Sequence, residues 1–223
     1  MIKFKKGDGE MYVRCDLIKE LANKTLLDMN ILHPPVDVRT LLGQHFKIKY
    51  SEVIEDGLIY NRPGLKKPVI FINPSKCEGR TNWTFAHELG HIKLRHLETF
   101  NIDDLSDFEH AIIEREAHIF AAELLMPYKW LKHYWKLYPQ YNKVNAITKL
   151  FGVSKEALIN RLIEKNILKN NEELMLYFPY YYKKLRYRVN NTTYQEYTEG
   201  FYSGTTLDDD FYEEESIELS KTN

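Results

Sequence analysis

Two histidines four residues apart, His87 and His91, with Glu88 beside the first, place the tightest constraint on this chain. Residues i and i+4 stack on one helical face, so the two imidazoles converge on a single metal ion when the stretch is a helix. Thr84 to His91 is therefore expected to be helical and to face an element that completes the site. The H-E-x-x-H pattern joins two metal-ligating imidazoles to a carboxylate able to act as general base on a water at the metal. In a chain with 8 histidines the pattern also arises by coincidence, so a third ligand in the right setting has to decide the matter.

The chain has 223 residues, 43% of them hydrophobic, enough for one substantial core and a small appendage. One main domain over residues 1–168 and an extension over 169–223 are expected. A formal net charge of -1 gives no global field that would draw the protein to nucleic acid or membrane. Two cysteines, Cys15 and Cys77, make no disulfide framework, which favours a reducing cytoplasm. The basic N-terminus runs into Gly7, Asp8 and Gly9 instead of an apolar stretch, so no signal peptide is expected. No segment approaches the ~20 apolar residues of a membrane span.

Along the chain, Leu17, Ile18, Leu21 and Leu26 keep a helical period from about Asp16, a plausible cap, to Met29. Asp37 can cap a short helix that runs through Leu42. Phe46–Tyr50, Gly57–Tyr60 and Pro68–Ile72 read as strands, together a small antiparallel or mixed sheet. If the last strand borders the cleft, a substrate could lie extended along its edge. The motif helix is expected from near Arg80 to Asn82 until about His96, and a second long helix from about Asp107 to Met126, where Pro127 stops it. Tyr128 to Tyr138 reads as a further helix, and Val144 to Leu150 and Lys155 to Glu164 as a pair joined by a tight turn, with Ser154 as cap. The fold class expected is α+β. Beyond Lys169, strands near Leu174–Phe178 and Tyr182–Val189 and a disordered acidic end are the expectation.

The second long helix is the donor of a third ligand. Glu109, Glu114, Glu116, Glu123, His110 and His118 are available, and facing geometry ranks them. Ala111, Glu114, Ala117, His118, Ala121 and Leu125 share one face whose small alanines allow close packing, whereas Glu116 points away from it. His96, five residues past His91, is rotated far from the ligand face by that spacing.

Trp83-Thr84-Phe85-Ala86-His87-Glu88-Leu89-Gly90-His91, followed by Glu114-Arg115-Glu116-Ala117-His118-Ile119-Phe120-Ala121-Ala122-Glu123-Leu124-Leu125-Met126-Pro127, resembles the ImmA/IrrE metallopeptidases. The resemblance extends over roughly Asp16 to Leu168. It implies one zinc ion held by His87, His91 and Glu114, with Glu88 as general base in peptide hydrolysis. It also implies a protein substrate, a helix-turn-helix transcriptional repressor whose cutting turns on mobile-element or stress genes. The family usually carries Asn or Asp where His118 stands, so His118 is either an orienting partner or an alternative ligand. His110, His118 and Tyr128 are also the nearest candidates for a donor to the oxyanion, although such residues are more often structural.

Two rival readings come from other classes. Val144 to Glu164 has helix-turn-helix proportions, with Lys155, Asn160 and Arg161 able to face a DNA groove, but it lacks dense basic residues. A zinc-stabilised interaction protein that cuts nothing is the other, and Glu88 argues against it, because a purely structural site needs no such carboxylate.

Overall fold

The computed structural model describes residues 3–6, 9–44, 46–54, 56–60, 67, 69–96, 105–168 and 171–178. Residues 1–177 form one compact unit and 178–223 a second, of which only Phe178 is described. The expected Tyr182–Val189 strand and the disordered acidic end lie outside the described residues.

The fold is α+β, mostly helical around a three-stranded mixed sheet. A short antiparallel hairpin, β1 (Lys3–Lys6) and β2 (Gly9–Tyr12), opens it. Four-residue strands are too short to display an alternation, and the sequence reading has no counterpart for them. Helix α1 (Cys15–Asp28) buries Ile18, Ala22, Thr25 and Leu26, while Leu17 is 40% exposed. Arg14 occupies its N-cap position, and Asp16 sits in the first turn, where a negative charge suits the helix dipole. Helix α2 (Val38–Gly43) is capped as expected, with Asp37 accepting from the Thr40 backbone N–H at 3.0 Å.

Strands β3 (Lys47–Tyr50), β4 (Gly57–Tyr60) and β5 (Val69–Ile72) assemble in the order β3-β5-β4. β5 runs parallel to β3 and antiparallel to β4, with Gly57 opposite Ile72 and Tyr60 opposite Val69. The last strand in sequence is thus the central one, and the expectation that it offers an edge to substrate is corrected. Its unbroken Val-Ile-Phe-Ile run suits a strand covered on both faces.

Helix α3 (Glu78–Lys93) carries the paired histidines, and helix α4 (Asp107–Leu125) lies against it. α4 opens with a capping box: the Ser106 Oγ accepts from the Glu109 backbone N–H, and the Glu109 carboxylate accepts from the Ser106 N–H at 2.9 Å. Where α3 and α4 cross, Gly90 has no side chain to keep them apart. A Cβ there would lie 3.1 Å from the Ala117 Cα and 3.2 Å from its carbonyl oxygen.

Helices α5 (Tyr128–Leu137), α6 (Lys143–Phe151) and α7 (Lys155–Glu164) follow. The α6–α7 turn uses Gly152 in the left-handed region, at φ 63°, and the Ser154 side chain accepts from the Ala157 N–H. This turn buttresses the start of α3. Asn82 donates to the Gly152 carbonyl at 3.0 Å, and a Cβ on Gly79 would fall 2.5 Å from the Ser154 nitrogen.

Helix α8 (Asn171–Tyr177) stands where a strand was expected from Leu174. Glu172 and Glu173 in its first turn and the helix-forming Leu-Met-Leu that follows outweigh the strand tendency of the aromatics. Tyr177 packs edge-on against Trp135, ring centroids 4.9 Å apart.

Arg161 is buried, not turned toward solvent as a groove-reading residue would be. Its Nε and Nη2 both donate to the Met126 carbonyl at 3.2 Å, a group left unpaired by the end of α4, and Nη2 pairs with Glu123 at 2.6 Å. Arg161→Met removes both donors from the buried Met126 carbonyl and leaves Glu123 with Lys165, 2.9 Å away, as its remaining partner. It should lower stability by roughly 1–3 kcal/mol, read as a melting temperature reduced by about 5 °C in thermal unfolding.

Candidate metal centre

The close approach at Gly90 lets a side chain from α4 reach between two side chains of α3. His87 and His91, one turn apart, hold their Nε2 atoms 3.0 Å from each other. The Glu114 carboxylate reaches into the same point, with Oε2 3.1 Å from His87 Nε2 and Oε1 3.4 Å from His91 Nε2. Among the described residues, these three form the group of donors able to hold a metal ion.

The donor set fits a tetrahedral cation. Bonds of about 2.0–2.1 Å place ligand atoms roughly 3.3 Å apart, close to the separations seen. Two imidazoles and one carboxylate also leave one position open, as sites that work on a bound molecule do and closed structural sites do not.

Burial on its own would raise the Glu114 carboxyl, but hydrogen bonds and charge from His87 and His91 outweigh it and hold the group well below the usual carboxylate range. Glu88, next to His87 in sequence, goes the other way. Burial pushes its carboxyl up against the opposing pull of the two imidazoles, and Glu114 adds to the rise. Two carboxylates in one pocket are therefore driven apart, one toward permanent charge and one toward exchangeable protonation.

His118 lies beside His87, ring centroids 4.5 Å apart, and its ring centroid is 6.2 Å from that of Trp83. Burial holds it down at about 3, so its ring is neutral. It does not belong to the candidate donor group, and its position beside His87 is that of a neighbour. Its companions in the sequence reading are placed differently: His110 is exposed on the first turn of α4, and Tyr128 is 40% exposed at the start of α5 beside Lys132.

The two histidines of the candidate centre differ behind it. Nδ1 of His87 is buried with no hydrogen-bond partner among the described residues. Nδ1 of His91 lies 3.1 Å from Nδ1 of His96, whose Nε2 lies 3.0 Å from Glu116 Oε2. Arg14 holds that same carboxylate through its backbone N–H and its guanidinium, with Nε 2.9 Å from Oε1. Burial would raise the Glu116 carboxyl, but the bonds from Arg14 and His96 prevail and hold it at about 2.

Helical projection turns His96 away from the ligands because it extends α3 to that residue. The helix ends at Lys93, and Arg95 adopts φ 60°, a left-handed conformation that swings His96 back beneath His91. No residue type in Leu94-Arg95-His96 announces that reversal. Arg14, 102 positions from Glu116, carries no signal at all.

β4 borders the other side of the site. Arg80 on α3 pairs with Asp56 through two bonds of 2.6 and 2.8 Å. A Cβ on Gly57 would meet Thr84 Cγ2 at 2.5 Å and Glu88 Oε1 at 3.3 Å. Asn73 donates to the Asp56 carbonyl, and the Ile72 carbonyl accepts from Ser51 on the β3 side. By the alternation of an antiparallel ladder, Gly57 and Ile59 then turn their backbone groups away from β5, toward the side of β4 that no described strand covers.

Among the described residues, no helix is long and apolar enough to cross a membrane. No curated protein sequence matches the chain. A solved structure, "Mycobacterium tuberculosis transcriptional regulator", has a similar fold, with a TM-score of 0.50 and 18% identity over 66% of this chain. The match covers 46% of that protein, so this chain corresponds to less than half its length. Residues 27–163, more than half of the chain, match the peptidase family M78, described as the IrrE N-terminal-like domain. With its two histidines and glutamate gathered as a metallopeptidase-type domain requires, the chain belongs to the IrrE N-terminal-like family of peptidases.

Proposed function

We propose that the chain is a zinc-dependent endopeptidase of the cytoplasm that hydrolyses one peptide bond in a protein, with a helix-turn-helix transcriptional repressor as its substrate. The observation that carries this reading is the convergence of His87, His91 and Glu114 on one point with Glu88 beside it. His87 Nε2, His91 Nε2 and the Glu114 carboxylate would hold the ion. When bound, zinc supplies Lewis acidity to the attacking water and to the scissile carbonyl.

Glu88 takes a proton from the attacking water onto its carboxylate and delivers it to the leaving amide nitrogen, so that one water is divided between the two products. Its raised affinity for a proton suits both halves of that transfer. Neutral His118 lines the pocket beside His87 and is favoured over His110 and Tyr128 as a donor to the oxyanion. The extended substrate pairs with the outward backbone groups of Gly57 and Ile59, which brings its scissile bond past Glu88. The repressor as target is supported by the family and by the similarity in fold to a transcriptional regulator.

The test is cleavage, by the purified protein, of a helix-turn-helix repressor encoded beside it. A chelator should stop the reaction and added zinc restore it; a repressor left whole with zinc present would refute this substrate. In the same assay Ile59→Pro should slow cleavage roughly tenfold, the worth of one main-chain hydrogen bond, with bound zinc unchanged.

A further inference from the structure

We propose that His96 and Glu116 are positioning residues for the metal centre, a two-member relay that fixes the tautomer and orientation of His91, with Arg14 anchoring its far end. This rests on the reading of His87, His91 and Glu114 as ligands.

The contacts among Arg14, Glu116, His96 and His91 suit one arrangement of protons. An ionised carboxylate only accepts, and Glu116 already accepts from Arg14, so the hydrogen between His96 Nε2 and Glu116 Oε2 belongs to His96. Full burial disfavours a charged ring at His96, and in the neutral ring that remains Nδ1 is an acceptor. The 3.1 Å contact between the two Nδ1 atoms therefore places its hydrogen on His91. With Nδ1 protonated, His91 presents a lone pair at Nε2, which is the atom aimed at His87 and Glu114.

A carboxylate behind a ligand imidazole raises its basicity and locks its ring, and here an additional imidazole carries that effect across. The relay is dry: His96 is 0% exposed and Glu116 1%. It is also rigidly held, because Arg14 contributes its backbone N–H as well as its guanidinium and sits at the N-cap of α1. Arg14 lies outside residues 27–163, so the anchor comes from a part of the chain that the family match does not cover. His87 has no equivalent support among the described residues, which makes His91 the ligand whose geometry the surrounding fold controls.

The experiment compares the full chain with His96→Leu, His96→Gln, Glu116→Gln and Glu114→Ala. Zinc affinity is measured by competition with a chromophoric chelator, the visible spectrum of the Co2+-loaded proteins is recorded, and thermal unfolding of the metal-free proteins is followed in parallel. His96→Leu should bind zinc 10- to 100-fold more weakly, the range typical of lost outer partners, and shift the cobalt bands. His96→Gln, whose side-chain oxygen can still accept from His91 Nδ1–H, should recover most of the affinity, and Glu116→Gln should fall between. Zinc affinity of His96→Leu equal to that of the unaltered chain overturns the relay, as does His96→Gln failing as fully as His96→Leu while the metal-free proteins lose stability alike. If the unaltered chain binds no zinc, or Glu114→Ala binds it equally well, the ligand reading itself falls.

Discussion

Glu88→Gln keeps its metal and stops cutting. The carboxamide has the shape of the carboxylate but takes no proton from water at neutral pH, and it leaves His87, His91 and Glu114 untouched. A positioned general base contributes about 10²–10⁴-fold, so the cleavage rate should fall by that factor at unchanged zinc content. Metal analysis of the purified variant beside a time course on the repressor provides both readings. Equal rates in variant and parent would remove Glu88 from the chemistry, and no cleavage by either would leave a metal-binding regulatory protein as the better description.

Gly90→Val should disable the centre from behind, without altering any donor atom. The new side chain meets the Ala117 backbone at 3.1–3.2 Å and the Phe120 Cβ at 3.2 Å, and neither is the free end of a flexible chain. Relief comes only by parting α3 from α4, which carries Glu114 away from the histidines. Overpacking of this kind costs typically 1–3 kcal/mol, and a loss at the upper end or beyond is expected for a β-branched residue against backbone. Zinc affinity should fall along with the melting temperature. Gly43→Ala is the matched control, since a Cβ there meets nothing within 4 Å and both quantities should stay unchanged. A Gly90→Val protein that still binds zinc tightly would show that the helix crossing does not set the ligand geometry.

These two substitutions divide along what can be read in the amino-acid order. His87, Glu88 and His91 follow from spacing on one helix, and helical period places Glu114 and His118 on the alanine-bearing face of α4, where the family resemblance implies Glu114. The caps at Asp37 and Ser154 are equally legible, because each is a contact between residues three apart. The order of the sheet is not, since nothing within β5 states which strands flank it. The strand expected at Leu174 fails for a local reason, with acidic residues at a helix start outweighing aromatic content.

Regular periodicity also misleads at one point. It holds only while a helix continues, and α3 stops two residues before Arg95 turns the chain. Projecting the helix as far as His96 therefore puts that residue on the wrong side. The same projection turns Glu116 away from the His87–His91 pair, correctly, but does not say what it meets there.

By itself the sequence determined that His87 and His91 share one helical face with Glu88 beside them, because that depends on spacing within a turn or two of one helix. Only the tertiary structure decided which strand lies beside Glu88 and what stands behind His91. Both depend on contacts between segments far apart in the chain, Arg14 with Glu116 and β3 with β5, and such contacts are chosen by packing of the whole and not by any local preference.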